Sequence, residues 1–198
     1  MPNWDEHRRK GGLLVVLSGP SGVGKDSVLD ELNKIYPTAI KCVTMTTRQP
    51  RNGEVDGVDY TFVSVDEFRK CVDKGGFLEY AEVHGNLYGT PRRWVEANLE
   101  QGADIFLKID VQGGLAVKQQ MPGAVMIFLL PPSMEELERR LRSRLTETDA
   151  EMQMRLLNAL SELEQISHYD YVIVNDSISN AAQELKAVLI AEHCRTQQ

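Results

Sequence analysis

Leu13–Leu29 reads LLVVLSGPSGVGKDSVL, and this stretch decides the fold. Leu13 to Leu17 are apolar without interruption, which predicts a buried strand. A loop follows with glycines at 19, 22 and 24, and then Lys25 opens an amphipathic helix with Val28, Leu29 and Leu32 on one face. Glycines turn the chain tightly and have no side chain to hold a phosphate away from backbone N–H groups. The helix N-terminus adds unpaired donors and a partial positive charge, and Lys25 adds a full one. The pattern of such a loop is G-x-x-x-x-G-K-[ST], whose last hydroxyl touches Mg²⁺. Here Asp26 stands in that place. Ser27 follows it, but one helical residue is about 100° of rotation, so the serine does not simply substitute.

Working outward, the 198 residues predict one domain able to bury a sizeable core. A net charge of −7 argues against a nucleic-acid or membrane surface as the main partner. Cys42, Cys71 and Cys194 have neither disulfide-framework nor zinc spacing, which predicts a reducing, cytoplasmic setting. No apolar run reaches membrane-span length, and MPNWDEHRRKGG lacks the apolar region of a secretory signal; residues 1–11 are expected to be a frayed tail.

Strands are expected at 40–46, 60–63, 77–84, 105–109, 124–130 and 171–174. Helices are expected at 65–74, 94–99, 112–120, 134–144, 149–166 and 179–192. Asp66 lies near the start of the first of these helices, and Ser133 with Glu136 forms a capping box for 134–144. In 149–166, Leu156, Leu160, Leu163 and Ile166 read as one apolar stripe. The alternation predicts an α/β fold with a parallel sheet covered by helices on both faces. Residues 44–90 break the rhythm with short strands and glycine turns, which predicts a small mixed or antiparallel lobe. The arginine-rich stretch 134–155 predicts a helical lid, leaving 12–43, 91–133 and 156–198 as the core.

Several side chains in these segments suit phosphate chemistry. Arg48 and Arg51, in TTRQPR, can clamp one phosphate through paired guanidinium donors; taken alone they read more readily as a solvated basic loop. Tyr60 and Tyr88 can add hydroxyls to the same phosphate. Glu79, in FLEYAEVHG, can accept the N1–H and 2-amino hydrogens of guanine, a donor pair adenine lacks, with Thr44 and Thr90 serving the rest of the base. Glu82 lies on the opposite face of the same strand and is given no role. Asp110 follows an apolar strand, where it can organise Mg²⁺ or cap the next helix. Arg140, Arg144 and Arg155 can close on a transferring phosphoryl group, although Glu136 is placed to pair with Arg140. His84 and His168 read as structural.

Together SGPSGVGK (18–25), TTRQPRNGEVDGVDYTFVS (46–64), FLEYAEVHGNLYGTP (77–91), IDVQG (109–113), the PPS and TET segments of the lid and VIVND (172–176) resemble the guanylate kinases, of the nucleoside monophosphate kinase group of P-loop proteins. The resemblance runs from about Leu13 to the end. It implies a P-loop-type parallel sheet, a nucleotide lobe and a closing lid, and transfer of the ATP γ-phosphoryl group to GMP with Mg²⁺. It implies that Gly19, Pro20, Ser21, Gly22, Val23, Gly24, Lys25, Asp26, Ser27 and Asn175 hold ATP. It implies that Thr44, Arg48, Arg51, Tyr60, Glu79, Tyr88, Thr90 and Asp110 hold GMP. Lys25, Arg48, Arg140, Arg144 and Arg155 are then catalytic, with Asp26 and Asp110 toward the metal, directly or through water. Neither nucleic acid nor membrane is an expected partner, and monomer or homo-oligomer stays open.

Three positions depart from the family pattern: Asp26 for Ser or Thr, Lys108 for an acidic residue, and Leu145 for a glycine after Arg144. The first two changes have opposite sign, which predicts either an Asp26–Lys108 pair or a metal on Asp26 with Lys108 offsetting the added charge. Leu145 is expected to stiffen the lid. Two alternatives are a guanylate kinase-like binding module without catalysis and a kinase of another phosphorylated small molecule such as ribose bisphosphate, whose enzymes share the GKDS form. Retention of Lys25 and the glycines opposes the first; Glu79 and both tyrosines oppose the second.

Overall fold

The computed structural model describes residues 9, 11–83, 85–142 and 149–196, the side chains of 149–151 excepted. The chain runs β1 (Leu14–Ser18), α1 (Lys25–Ile35), β2 (Ala39–Lys41), β3 (Met45–Thr46), β4 (Thr61–Phe62), α2 (Val65–Asp73), β5 (Phe77–Val83) and β6 (Asn86–Pro91). It continues with α3 (Arg92–Glu100), β7 (Asp104–Lys108), α4 (Val111–Gln120), β8 (Val125–Leu130), α5 (Met134–Arg142), α6 (Asp149–Leu163), β9 (Tyr171–Val174) and α7 (Ile178–His193). One sheet has the order β2-β7-β1-β8-β9 with every pair parallel. The continuous apolar run of β1 follows from this position, because both faces of the central strand are covered. Leu13, Val15 and Leu17 pack with Val28, Leu32, Leu185 and Leu189 on one side. Leu14 and Val16 pack with Val95, Leu107 and Val117 on the other.

The second sheet has the order β4-β3-β6-β5. It is mixed, since β3 pairs with β4 in parallel and with β6 antiparallel, while β5 and β6 form an antiparallel pair. The expected strand over 40–46 is two strands in two sheets. Ala39–Lys41 pairs with β7 in the parallel sheet, and Met45–Thr46 pairs in the smaller one. Residues 42–44 carry the chain between them, and an alternating pattern survives the crossing because both sheets bury one face there. The start of α2 is fixed by Ser64 and Glu67, which exchange side-chain and backbone hydrogen bonds as a capping box, and not by Asp66.

The expected helix 149–166 stops at Leu163, and a short 3₁₀ turn spans Ile166–His168. Its apolar stripe is also rotated. Leu160 is exposed, whereas Leu156 of the expected stripe packs with the buried Met152 and Ala159 against Leu137 and Leu141 of α5. The apolar face of this helix packs on α5, and that contact selects the seam.

Gly19 holds β1 against β8. Its φ is +144°, and a Cβ there would lie 2.2 Å from the Leu129 carbonyl oxygen. Gly19→Ala is expected to destabilise the protein by more than about 2 kcal/mol, read as a fall in the urea midpoint with an unchanged slope. No helix among the described residues is long and apolar enough to cross a membrane.

Candidate active site

The turn after β1 leads over Gly22 and Gly24, both at positive φ, into α1. Gly24 is pinned from behind. A Cβ on it would meet Asn175 Nδ2 at 2.6 Å, and that amide donates to the Val23 carbonyl at 2.8 Å. Asn175 therefore shapes the loop as well as bordering the cleft beyond it, where Gly22, Gly24, Ser27, Arg139, Arg140 and Ile178 line a second cavity. Lys25 folds back, donating to the Gly19 carbonyl and, at 3.2 Å, to the Pro20 carbonyl. Burial lowers its pKa to about 8, against the opposing charge of Glu162.

The helices after β8 close over this loop. Leu141 and Leu137 of α5 pack on Gly22, where a Cβ would meet Leu141 Cδ2 at 2.8 Å. Arg140 pairs with Glu136 at 2.7 Å and donates to the carbonyls of Val23 at 3.1 Å and Asn175 at 3.2 Å. Arg155 of α6 reaches Ser21 Oγ at 3.5 Å. Arg144 and Leu145 lie outside the described residues, as does His84.

Beside the loop, across the C-terminal ends of β2 and β7, a cavity of about 310 Å³ opens toward the mixed sheet. Thr44, Arg48, Arg51, Tyr60, Glu79, Tyr88 and Asp110 line it. Within it Glu79 accepts the Thr90 hydroxyl at 2.5 Å, and Gly113 leaves room for it: a Cβ there would lie 3.0 Å from Glu79 Oε2. Burial raises the Glu79 pKa, the Thr90 hydrogen bond opposes, and the charge of Asp110 adds to the rise. Glu82 does not line the cavity, as strand alternation requires.

Arg48 and Arg51 come to the cavity together, but Arg48 is already engaged. Glu54 takes it in a bidentate pair at 2.8 and 2.9 Å and also accepts the Arg51 backbone N–H at 2.7 Å. These contacts hold the Glu54 carboxyl down to about 2, the Arg48 hydrogen bonds first. The Arg48 guanidinium also lies 5.2 Å from the centre of the Tyr60 ring, which meets Tyr88 edge to face. Asp110 caps α4 by accepting the Gly113 N–H at 2.8 Å through Oδ1. Cys42 also lines the cavity; burial pushes its thiol up to about 12, which removes it as a nucleophile.

Asp26 and Lys108 meet at 2.6 Å, and Lys41 approaches the same Asp26 oxygen at 3.4 Å. Burial works against the Asp26 carboxylate, yet hydrogen bonding and charge from Lys108, then Lys41, hold its pKa below the ordinary value. Glu54, Glu162 and Lys41 are the side chains that sequence reasoning missed. Glu162 lies seven residues after Arg155, close to two helical turns, hence on the same face of α6. That spacing was the available signal for a second inward-facing charge. Its Oε2 is buried with no hydrogen-bond partner among the described residues, and burial raises its pKa against the pull of Lys25.

A family model described as guanylate kinase matches residues 12–192. A guanylate kinase of Geobacter metallireducens is 49% identical over 188 residues, covering 95% of this chain and 93% of the relative. One from Myxococcus xanthus is 51% identical over 186 residues, covering 93% and 88%. The crystal structure of guanylate kinase from Anaplasma phagocytophilum superposes with a TM-score of 0.77 at 37% identity, over 96% of this chain and 92% of that one. A shared fold alone would leave the chemistry open, but identity near one half across almost the whole length does not: the chain belongs to the guanylate kinase family.

Proposed function

We propose that this chain transfers the γ-phosphoryl group of ATP to GMP, giving ADP and GDP, with the cavity beside the mixed sheet as the acceptor site. The observation that carries the acceptor assignment is Glu79, a half-buried carboxylate joined to Thr90 in the lining of a cavity that arginines and tyrosines also line. An ionised carboxylate there accepts both donors of the guanine edge. Arg51, Tyr60 and Tyr88 take the phosphate, with Arg48 held in its orientation by Glu54. The loop from Gly19 to Lys25, with Asp26, Ser27 and Asn175, takes ATP. A GMP phosphate oxygen attacks the γ-phosphorus, the bond to the ADP oxygen breaks, and the charge that spreads over the equatorial oxygens meets Lys25, Arg140 and Arg155.

The donor set suits Mg²⁺. Hard carboxylate oxygens from Asp110 and Asp26 border the loop, and the orphaned Oε2 of Glu162 supplies another oxygen without a proton donor. Mg²⁺ characteristically relies on one or two carboxylates plus substrate phosphates, so Asp110 and Asp26 are enough to serve it. Asp110 and Asp26 would hold such an ion, directly or through water, and it would supply positive charge against the ATP phosphates. Residues 44–90 act as the GMP lobe and 134–155 as the lid. The three free thiols support a cytoplasmic setting.

A coupled ADP-release assay with GMP, AMP and ribose bisphosphate as acceptors tests the assignment across a Mg²⁺ titration. GMP is expected to be preferred by at least about 10²-fold, because a site built on paired hydrogen bonds rejects a ligand lacking them. Equal rates with AMP, or turnover with ribose bisphosphate alone, would defeat it.

A further inference from the structure

Lys108 ends β7 and Lys41 ends β2, its neighbour in the parallel sheet; both reach the Asp26 carboxylate and both line the acceptor cavity. The pair does little for the fold. Asp26 is 60% exposed, and an ion pair that open to water contributes at most a few tenths of a kcal/mol to about 1 kcal/mol. Its placement matters more. One ammonium hydrogen of Lys108 points at Asp26, which leaves two donors on a side chain that is itself only 23% exposed.

The charge around the cavity gives those donors a use. Lys41, Arg48, Arg51 and Lys108 are its four cations, and four carboxylates line it as well. Arg48 is already neutralised by Glu54 in the bidentate pair. Lys41 and Lys108 share the single charge of Asp26, whereas Glu54 matches Arg48 one to one, so the attraction of the cavity for a dianionic phosphate falls to Arg51 and the two lysines, and losing one of them leaves the lining net negative.

We propose that Lys108 is a phosphate-contacting residue of the acceptor site, with Asp26 as the positioning carboxylate that aims its ammonium at the junction between the acceptor cavity and the donor loop. Asp26 is thus explained by what it holds, and the two departures from the loop and strand patterns become one device. The proposal rests on the acceptor cavity being the GMP site. It concerns binding of the monophosphate itself, so it holds in the absence of ATP and of any divalent ion.

The test is calorimetric titration of GMP and of guanosine in EDTA, without ATP. It uses the unsubstituted protein, Lys108→Met, Lys108→Arg, Asp26→Asn and the Asp26→Asn/Lys108→Met double variant. Lys108→Met is expected to weaken GMP about 10-fold while guanosine stays within about twofold, and Lys108→Arg is expected to retain GMP within about threefold. Asp26→Asn is expected to shift GMP affinity at least about threefold when Lys108 is present and less than twofold in the Lys108→Met background. GMP binding by Lys108→Met within twofold of the unsubstituted protein, or equal losses of GMP and guanosine, overturns the proposal. If the unsubstituted protein binds GMP no better than guanosine, the assignment of the cavity falls, and this proposal with it.

Discussion

Lys25→Met is expected to raise the melting temperature of the ligand-free protein by about 3–6 °C while lowering turnover about 10²- to 10³-fold. The two effects have one cause. Burial pulls the Lys25 pKa from 10.5 to about 8, so the folded protein holds a charged ammonium at neutral pH against a penalty. That difference corresponds to something on the order of 3 kcal/mol, offset in part by the hydrogen bonds to the Gly19 and Pro20 carbonyls. Methionine fills similar space without the charge. The sign with pH follows from linkage. The folded-state pKa is the lower one, so between about 8 and 10.5 the unfolded chain binds more protons and stability rises with pH. Below about 8 the full penalty is present. The methionine variant loses this rise, so its stability advantage is largest at pH 7 and shrinks toward pH 10.5. Thermal unfolding of both proteins across that range measures it, and a methionine variant that melts lower at pH 7 would contradict the burial account. The loss of turnover reflects removal of a cation kept charged beside the loop, where it can leave the Gly19 and Pro20 carbonyls for the ATP phosphates, a costly burial that function retains at the expense of stability.

What could be read from the sequence divides by the range of the forces involved. The loop at Gly19–Lys25 was legible because strand, glycines and lysine are contiguous, and the apolar run of β1 reports a strand covered on both faces. Glu79 was separable from Glu82 because strand alternation sends them to opposite faces. The opposite charges of Asp26 and Lys108 pointed to a pair that the structure brings together at 2.6 Å. The break of 40–46 into two strands was not legible, since hydrophobic alternation records burial and not which sheet does the burying. The stripe on α6 was misplaced by about one residue position for a similar reason: its leucines satisfy helical spacing on more than one face, and only the location of α5 selects Met152 and Ala159. Glu54 and Glu162 were missed because each acts on a cation whose position depends on a folded loop or on packing between distant segments. Glu162 left a trace only in sharing a helical face with Arg155, and Glu54 none, because its pairing with Arg48 exists only in the folded loop.

Glu79→Gln is expected to lower kcat/KM for GMP by about 10²- to 10³-fold and to leave the small rate with AMP nearly unchanged. The amide keeps the shape of the side chain and retains an oxygen for the Thr90 hydroxyl, so the fold and the Thr90 contact survive. Its second polar atom becomes an N–H donor facing the two donors of the guanine edge. One hydrogen bond is replaced by a donor–donor clash in a buried place, and a buried polar group left unpaired costs more than the bond itself contributes. Adenine presents no such donor pair, so its binding does not draw on the carboxylate charge. The same residue sets a pH signature. Burial raises the Glu79 pKa above the usual carboxylate value, with Asp110 adding to the rise and Thr90 opposing it. As pH falls through that raised pKa the carboxylate becomes protonated and KM for GMP climbs, starting at a higher pH than an exposed glutamate would give. Bound GMP favours the ionised form, so the inflection in the complex lies lower than in the free protein. The glutamine variant lacks this inflection altogether. Profiles of kcat/KM for GMP from pH 4.5 to 8, run on both proteins, separate the two contributions. A glutamine variant that keeps the inflection, or that loses AMP and GMP turnover in equal measure, would show that Glu79 supports the cavity without reading the base.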